Sequence, residues 1–284
     1  MVIRNPAVWG WESLSNAAAA ARVAGEEDLA RQQTGRPQVR QIGTADLVDA
    51  LKRGWADFGA TRADVVLLCV IYPLVGLLLA RLAFGSGLFE LVFPLIAGFA
   101  LMGPVAGIGL NEMSRRREQG LDVAWFHVFD VVRPNTISPI IKASAALGAL
   151  FVLWLVVATG LYKLAFMGAE PATIGQLLKE CFTTLGGWFL IIVGNFVGLL
   201  FAVAALTISV VTFPLILDRH VSAEMAMETS IRAVRTNPRT MAIWGLIIAA
   251  GLVVGSIPVL IGLAIVLPVL GHATWHLYRR VVVS

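Results

Sequence analysis

The chain has 284 residues, of which 58% are hydrophobic and only 14% are charged, and its formal net charge is +4. Soluble domains carry about 25% charged residues, so this composition excludes an ordinary soluble enzyme and indicates a core built against lipid. The basic excess lies in short segments that flank apolar runs, which is not the charge distribution of a nucleic-acid-binding domain.

Residues 1–63 form a polar N-terminal arm without an apolar segment of the length that a cleavable signal requires, so we expect the arm to stay in the cytoplasm. Within it, residues 44–60 are predicted to form an amphipathic helix. Its apolar positions recur at helical spacing and are Leu47, Leu51, Trp55 and Phe58. The spacing leaves two partners open for this apolar face, namely the inner leaflet of the membrane and the protein's own loops.

Five apolar runs after the arm supply six predicted crossings of a hydrocarbon core that is about 30 Å thick. They are predicted at residues 65–84, 88–110, 138–162, 185–217, 240–256 and 259–278. The last two come from one uncharged run, which would be about 58 Å long as a single helix and is divided by Ser256, Ile257 and Pro258. We therefore predict an all-α polytopic transmembrane helix bundle of six spans over residues 64–280.

Basic residues are concentrated on the side of this topology that holds the two termini, whereas the other side has only Arg81, Lys163 and Lys179. The more basic side of a multispan protein faces the cytoplasm. The sequence thus predicts a bacterial inner-membrane protein with both termini cytoplasmic. The run Arg115, Arg116 and Arg117 is predicted to contact lipid head groups, and the same run also satisfies the charge rule without any recognition role.

Two cytoplasmic loops share a layout, since residues 121–135 and 224–237 each carry apolar positions at helical spacing and end on a Val-Arg-x-Asn sequence. These segments are predicted to be amphipathic elbow helices in the membrane interface. This similarity between the two loops leaves open whether they come from a duplication or share only their interface chemistry.

Small and polar residues inside the spans predict how the helices pack. Three pairs of glycines stand four residues apart, and they are Gly103 with Gly107, Gly194 with Gly198, and Gly251 with Gly255. Such pairs let helix backbones approach closely, either within one bundle or between two copies of the chain. Asn195 is the main polar residue within a span, and we interpret it as an interhelical hydrogen-bonding residue, with a substrate site as the alternative.

His272 and His276 are four residues apart on the last span, so both imidazoles lie on one helix face. They are the candidate metal or haem ligands of this chain. Neighbouring Trp275, Tyr278 and Arg279 favour simple anchoring at the membrane interface instead. The sequence offers no nucleophile with an adjacent base, and we predict neither a catalytic residue nor a cofactor.

Several segments resemble a bacterial family of integral membrane proteins classed as domain of unknown function 2189. The resemblance is carried by residues 52–58, 103–105, 116–120, 213–219 and 271–279, and it extends over about residues 40–280. It implies a six-span inner-membrane protein without an established activity. Some members are labelled putative cytochrome c oxidase subunit, but a haem-copper core needs about six histidines in the membrane, and this chain has four in all.

Three functions remain open on these grounds. The first is a non-enzymatic structural, accessory or assembly component, whose partners are the lipid bilayer and a membrane complex such as a respiratory oxidase. The second is a transporter or channel for a neutral or amphipathic solute, because the spans carry kinks but no central acidic residue. The third is a haem or metal protein that uses His272 and His276.

Overall fold

The computed structural model of the chain describes residues 36–60, 74, 78, 81, 92–123, 134–167, 171, 173–257 and 262–283. The predicted first span, with the exception of three single residues, lies outside the described residues. So do residues 1–35 of the arm and most of the first predicted elbow, at 124–133. Every named element in the described part of the chain is helical, and one isolated antiparallel bridge joins Val39 to Val282.

The helices follow in chain order, and the first, α1, covers residues 44–60. The others are α2 (Val92–Leu101), α3 (Gly103–Ala106), α4 (Ile108–Glu118), α5 (Pro134–Phe166), α6 (Ile174–Thr183), α7 (Leu185–Phe189), α8 (Asn195–Ser209), α9 (Thr212–Arg219), α10 (Ala223–Thr236), α11 (Pro238–Ser256) and α12 (Leu263–Val281). A π-helical turn, Leu190–Gly194, joins α7 to α8.

Three segments among the described residues are long and apolar enough to cross a membrane, namely Thr136–Phe166, Leu185–Arg219 and Pro238–Ser256. In the most apolar part of Leu185–Arg219 only 6% of the residues are buried within the chain. Large apolar side chains such as Leu199 and Leu200 are more than half exposed there. A lipid environment accounts for this surface, because a bilayer removes the need to bury apolar side chains inside the chain.

The helical segment Leu185–Arg219, which contains the fourth predicted span, has two local irregularities. Its π-helical turn precedes Asn195, and a second irregularity at Val210 and Val211 separates α8 from α9. Pro214 contributes to the second break, because proline has no N–H to donate to the carbonyl four residues earlier. The second predicted span is likewise divided, with turns at Met102 and Gly107 on either side of a one-turn helix.

The best-buried side chains gather at the end of the bundle where α4, α9, α10, α11 and α12 meet. Its largest members are Trp244, Trp275, Tyr278 and Phe213, each no more than 1% exposed. Both ends of the described chain lie here, because Arg40 donates its backbone N–H to Val281 and Val283 donates to Gln38. We call this region the terminal end of the bundle.

The arm is attached to the terminal end through side-chain and backbone contacts. The Asn237 side-chain oxygen accepts from the Ile42 N–H at 2.8 Å, and its amide group donates to the Arg40 carbonyl at 3.1 Å. Thr240 donates to the Ile42 carbonyl at 3.0 Å. The helix that follows rests on the protein's own helices with one face, while Trp55 on its other face is 59% exposed.

In the second predicted elbow, α10 buries a face that hydropathy did not indicate. The positions that suggested an apolar face, Met227, Ile231 and Val234, are only half-buried. Fully buried instead are small residues such as Ala226 and Ser230, which lie against neighbouring helices. Small side chains allow close helix contact, so α10 is part of the protein interior on that face.

Candidate functional site

A buried polar cluster joins the arm to the terminal end of the bundle. The inner face of α1 carries Leu47, Ala50 and Phe58, and the same face places Asp57 against α4 and α12. The side chain of Asp57 is thereby removed from solvent, with 7% of the residue exposed. A carboxylate in such a position needs hydrogen-bonding partners, because burial of an unpaired charge is strongly unfavourable.

Two helices supply the partners of Asp57. From α4, Ser114 Oγ donates to Asp57 Oδ2 at 2.6 Å, and Arg117 Nη1 donates to Asp57 Oδ1 at 2.9 Å. From α12, His276 Nε2 lies 2.8 Å from Asp57 Oδ2. Ser114 Oγ is also 2.8 Å from His272 Nδ1. We call Asp57, Ser114, Arg117, His272 and His276 the arm cluster.

The hydroxyl of Ser114 determines the tautomer of His272. A hydroxyl has one hydrogen, and that hydrogen goes to the carboxylate of Asp57. The short contact to His272 Nδ1 must then be donated by the imidazole, so the proton of a neutral His272 is on Nδ1. Its Nε2 atom is buried and makes no hydrogen bond to a described residue. Asn111 Oδ1, on α4, is likewise buried without a hydrogen bond to a described residue.

This hydrogen-bond order differs from that of a catalytic triad. In a triad the serine donates to the imidazole, and the imidazole donates to the carboxylate through its other nitrogen. Here Ser114 donates to Asp57 directly and accepts from His272, and both Ser114 and His272 are essentially without solvent exposure. These contacts join α1, α4 and α12, and within them the Ser114 hydroxyl donates to the carboxylate and not to an imidazole.

The electrostatics of the arm cluster favour an ionised Asp57. Burial alone would raise the pKa of this carboxyl, but the hydrogen bonds from His276 and Ser114 more than offset it and hold the pKa below its ordinary value of 3.8. Arg117 supplies a positive charge 2.9 Å from the other carboxylate oxygen. Arg117 also donates to the Ala56 carbonyl at 2.8 Å, which fixes the guanidinium beside α1.

Close backbone packing accompanies the polar contacts. A Cβ atom added to Gly54 would lie 2.6 Å from the backbone nitrogen of Ala273, so α1 and α12 touch through their main chains. A Cβ atom added to Gly271 would lie 2.4 Å from a methyl group of Leu110, so the Leu110 side chain of α4 packs directly on the α12 backbone. The arm cluster therefore sits between three helices at van der Waals contact.

Further acid–base contacts surround the cluster. Glu118 accepts from Trp275 Nε1 at 3.0 Å and from Arg279 at 3.2 Å, which joins α4 to α12 a second time. Asp218 accepts from the Tyr278 hydroxyl at 2.5 Å, which joins α9 to α12. The carboxylates of Glu118 and Asp218 offset the effect of burial and raise the pKa of Arg279.

Both predicted metal-ligand candidates belong to the arm cluster. His272 and His276 face the same carboxylate, the first through Ser114 and the second directly. Within the described residues, no three side chains of His, Cys, Asp or Glu are grouped so that they could hold a metal ion. The two histidines thus have structural partners, and their assignment as metal ligands stays a prediction.

The predicted head-group contacts each have a partner within the chain. Arg115 forms two contacts of 2.7 Å with the carboxylate of Glu112, a residue that is only 1% exposed. Arg116 donates to the Asp122 carbonyl at 2.9 Å, and Arg117 belongs to the arm cluster. These contacts hold all three guanidinium groups at the terminal end of the bundle.

Asn195 is exposed on its helix and donates to the carbonyl of Ile191, four residues earlier in the same span, at 2.7 Å. The interhelical bond that we expected is thus not among its described contacts.

The predicted glycine pairs have different surroundings. Gly251 and Gly255 face Val266 and Leu263 of α12, where an added Cβ would meet side chains at 3.1 Å and 2.9 Å. Gly198 faces Trp154 at 3.3 Å. The other three have no such tight contact with the part of the chain that the structure describes: Gly103 and Gly194 have nothing there within 4 Å, and Gly107 has only ordinary contacts.

Sequence reasoning missed Asp57 and Ser114 as site residues. One signal was available for Asp57, because it shares a helical face with Leu47, Ala50 and Gly54, and an acidic residue on an apolar face requires a buried partner. No comparable signal exists for Ser114, whose partners are 57 and 158 residues away in the sequence.

The helices from α2 to α9 correspond to a known family. Residues 92–218 match the family model DUF2189, described as a predicted integral membrane protein. The resemblance to this family is confirmed over residues 92–218, and its predicted extension over the rest of residues 40–280 stays a prediction. The matched segment includes Ser114 and Arg117, whereas Asp57, His272 and His276 lie outside it. No curated protein and no solved structure matches the chain.

Proposed function

We propose that this membrane protein is a non-catalytic accessory or assembly component of a complex in the bacterial inner membrane. The observation that supports this role best is that Asp57 forms hydrogen bonds to both α4 and α12 and so binds the arm to these two helices. The titratable side chains of the arm cluster hold the polar arm in a defined position. Such an arm presents a fixed cytoplasmic surface, with Trp55 exposed at 59%, to another subunit.

The proposed topology has six spans with both termini in the cytoplasm. Its support is the bridge between Val39 and Val282, which brings the two ends of the described chain to one end of the bundle. Chain ends on the same side of a membrane require an even number of crossings. Reporter fusions after Ser284, with alkaline phosphatase or green fluorescent protein, test this topology. Phosphatase activity at the C-terminus would contradict it.

The accessory role is tested by purification of the full chain from its native membrane in mild detergent, followed by mass spectrometry of the proteins that accompany it. We expect subunits of one complex, such as a respiratory oxidase, at a constant ratio. The Trp55→Ala variant should lose these companions, whereas the Phe93→Ala variant, which alters an exposed residue of α2, should retain them. A wild-type protein that purifies alone under several mild conditions would refute the proposal.

Transport of a neutral or amphipathic solute is the second candidate function. It is favoured by the π-helical turn Leu190–Gly194 immediately before the exposed amide of Asn195, because such turns are frequent at functional sites. Vesicles that contain the purified protein should then show solute flux that Asn195→Ala abolishes and Thr207→Val leaves unchanged. Absence of flux across a broad panel of solutes would remove this candidate.

The haem or metal alternative keeps one supporting observation. His272 donates through Nδ1 and leaves Nε2 unprotonated, as metal-ligating histidines commonly do. The purified wild-type sample tests it directly through metal analysis and the Soret absorbance of haem. A sample free of both would remove this alternative without affecting the accessory role.

A further inference from the structure

The short helix α6 lies between two membrane-crossing segments, at the opposite end of the bundle from the arm. It carries an apolar stripe that the chain leaves uncovered. Ile174, Leu178 and Phe182 follow one another at intervals of four residues and are 43%, 57% and 65% exposed. Side chains four residues apart lie on one helix face, so the three form a continuous apolar strip.

The opposite side of α6 is polar. Gln176 donates to Glu180 at 2.8 Å on this side, and Lys179 and Thr183 are exposed. A third side, with Leu177 and Cys181, is partly covered by the protein. A helix with an apolar strip beside a hydrophilic face is suited to a boundary between water and hydrocarbon.

A rigid elbow fixes the direction of α6 relative to the spans. Thr184 is extended, with φ −117° and ψ 157°, and its hydroxyl oxygen accepts from the Gly187 N–H at 3.0 Å. A Cβ atom added to Gly187 would lie 2.1 Å from the Glu180 carbonyl oxygen, and one added to Gly186 would lie 2.2 Å from that of Ala165. The last turns of α5 and α6 and the first turn of α7 are therefore in backbone contact.

This elbow lies where two candidate spans end. Thr136–Phe166 ends just before α6, and Leu185–Arg219 begins just after it. Trp188, in the first turn after the elbow, is 47% exposed. Tryptophan is enriched where spans leave the hydrocarbon, so its position marks the level of the membrane boundary.

We propose that α6 is a lipid-binding helix that lies in the bilayer surface on the side away from the chain termini. Ile174, Leu178 and Phe182 enter the acyl region, while Lys179 stays at the level of the head groups. The lipid is the occupant because the strip is uncharged and α6 lies in the chain between two segments that are long and apolar enough to cross a membrane. The elbow at Gly186 and Gly187 holds the strip in this orientation.

Nitroxide labelling of the full chain tests the proposal. In a background in which Cys69 and Cys181 are replaced by serine, Leu178→Cys and the control Lys179→Cys are labelled separately. The protein is reconstituted in vesicles of phosphatidylethanolamine and phosphatidylglycerol. Electron paramagnetic resonance then measures collision of the label with oxygen, which is concentrated in lipid, and with a water-soluble nickel chelate.

We expect the ratio of oxygen to nickel collisions to be several-fold higher at position 178 than at position 179. The pair Phe182→Cys and Thr183→Cys should repeat the contrast, which protects the test against a single variant that does not fold. Equal nickel access at both positions would place α6 in water and overturn the proposal. Shielding of position 178 from both reagents would show a protein occupant, either a second copy or another segment, and would overturn it as well.

Discussion

Replacing Gly54 with alanine probes the docking of the arm, because the new Cβ atom would meet the main chain of α12. It would lie 2.6 Å from the nitrogen of Ala273 and 2.8 Å from both its Cα and Cβ atoms. These atoms cannot rotate away, so the two helices must separate. Gly59 is the matched control, since it lies in the same helix and no atom of a described residue lies within 4 Å of its added Cβ.

The expected change in the stability of the docked arm follows from two opposed effects. Alanine improves helix propensity over glycine by up to about 1 kcal/mol, and both variants receive this gain. Overpacking at a close contact costs about 1–3 kcal/mol, and only Gly54→Ala incurs it. The docked arm should therefore be about 1–3 kcal/mol less stable in Gly54→Ala than in Gly59→Ala, which is roughly a 5- to 150-fold difference in the equilibrium for opening.

Limited proteolysis measures this opening in detergent solution. Lys52 and Arg53 are exposed trypsin sites on α1, but cleavage requires the helix to unfold locally. When opening is fast relative to cleavage, the cleavage rate follows the population of the open arm. Gly54→Ala should be cleaved faster at these sites than wild type, and Gly59→Ala at most as fast as wild type. Equal cleavage of the two variants would refute the close contact between α1 and α12.

Three further outcomes are expected. Asp57→Ala should destabilise the protein by about 1–3 kcal/mol, because it leaves the buried Ser114 hydroxyl and the His276 imidazole without their acceptor, whereas the exposed pair of Asp49 should contribute less than about 1 kcal/mol. Thermal unfolding of Asp57→Ala and Asp49→Ala in detergent compares them. The lowered Asp57 pKa contributes stability that is fully present above pH 3.8 and is lost as the pH falls through the pKa of the folded protein. Pepsin cleavage of the wild-type arm should therefore accelerate as the pH falls through that range. A similar acceleration in Asp57→Asn would contradict the assignment of this effect to Asp57. Gly187→Ala should open the elbow beside Glu180, and Gly175→Ala, with no described atom within 4 Å of its added Cβ, should not. The width of the nitroxide spectrum at position 178 reports the change.

Hydropathy found the membrane segments because the free energy of transfer into lipid is a sum over neighbouring residues. The predicted spans at 138–162, 185–217 and 240–256 fall within helices that the structure shows to be long and apolar enough. The family resemblance was equally accessible, because short motifs such as residues 116–120 are local in sequence. The count of six spans and the orientation of the termini remain predictions.

Local backbone irregularities were harder to predict from the sequence. The π-helical turn Leu190–Gly194 lies in a sequence of ordinary helix-forming and small residues, and nothing in its composition marks it. The buried face of α10 was also hidden, because alanine and serine have weak hydropathy and their burial depends on how close the neighbouring helix comes. Each feature reflects packing between helices rather than the preference of a single segment.

The sequence by itself determined that this chain is a helical membrane protein, since its composition and the length of its apolar runs require a lipid environment for its apolar surface. It also brought His272 and His276 to one face through the helical period. Only the tertiary structure decided what that face contacts. Asp57, Ser114 and His272 come from three helices that are far apart in the sequence, and their hydrogen bonds form only when packing brings α1, α4 and α12 together.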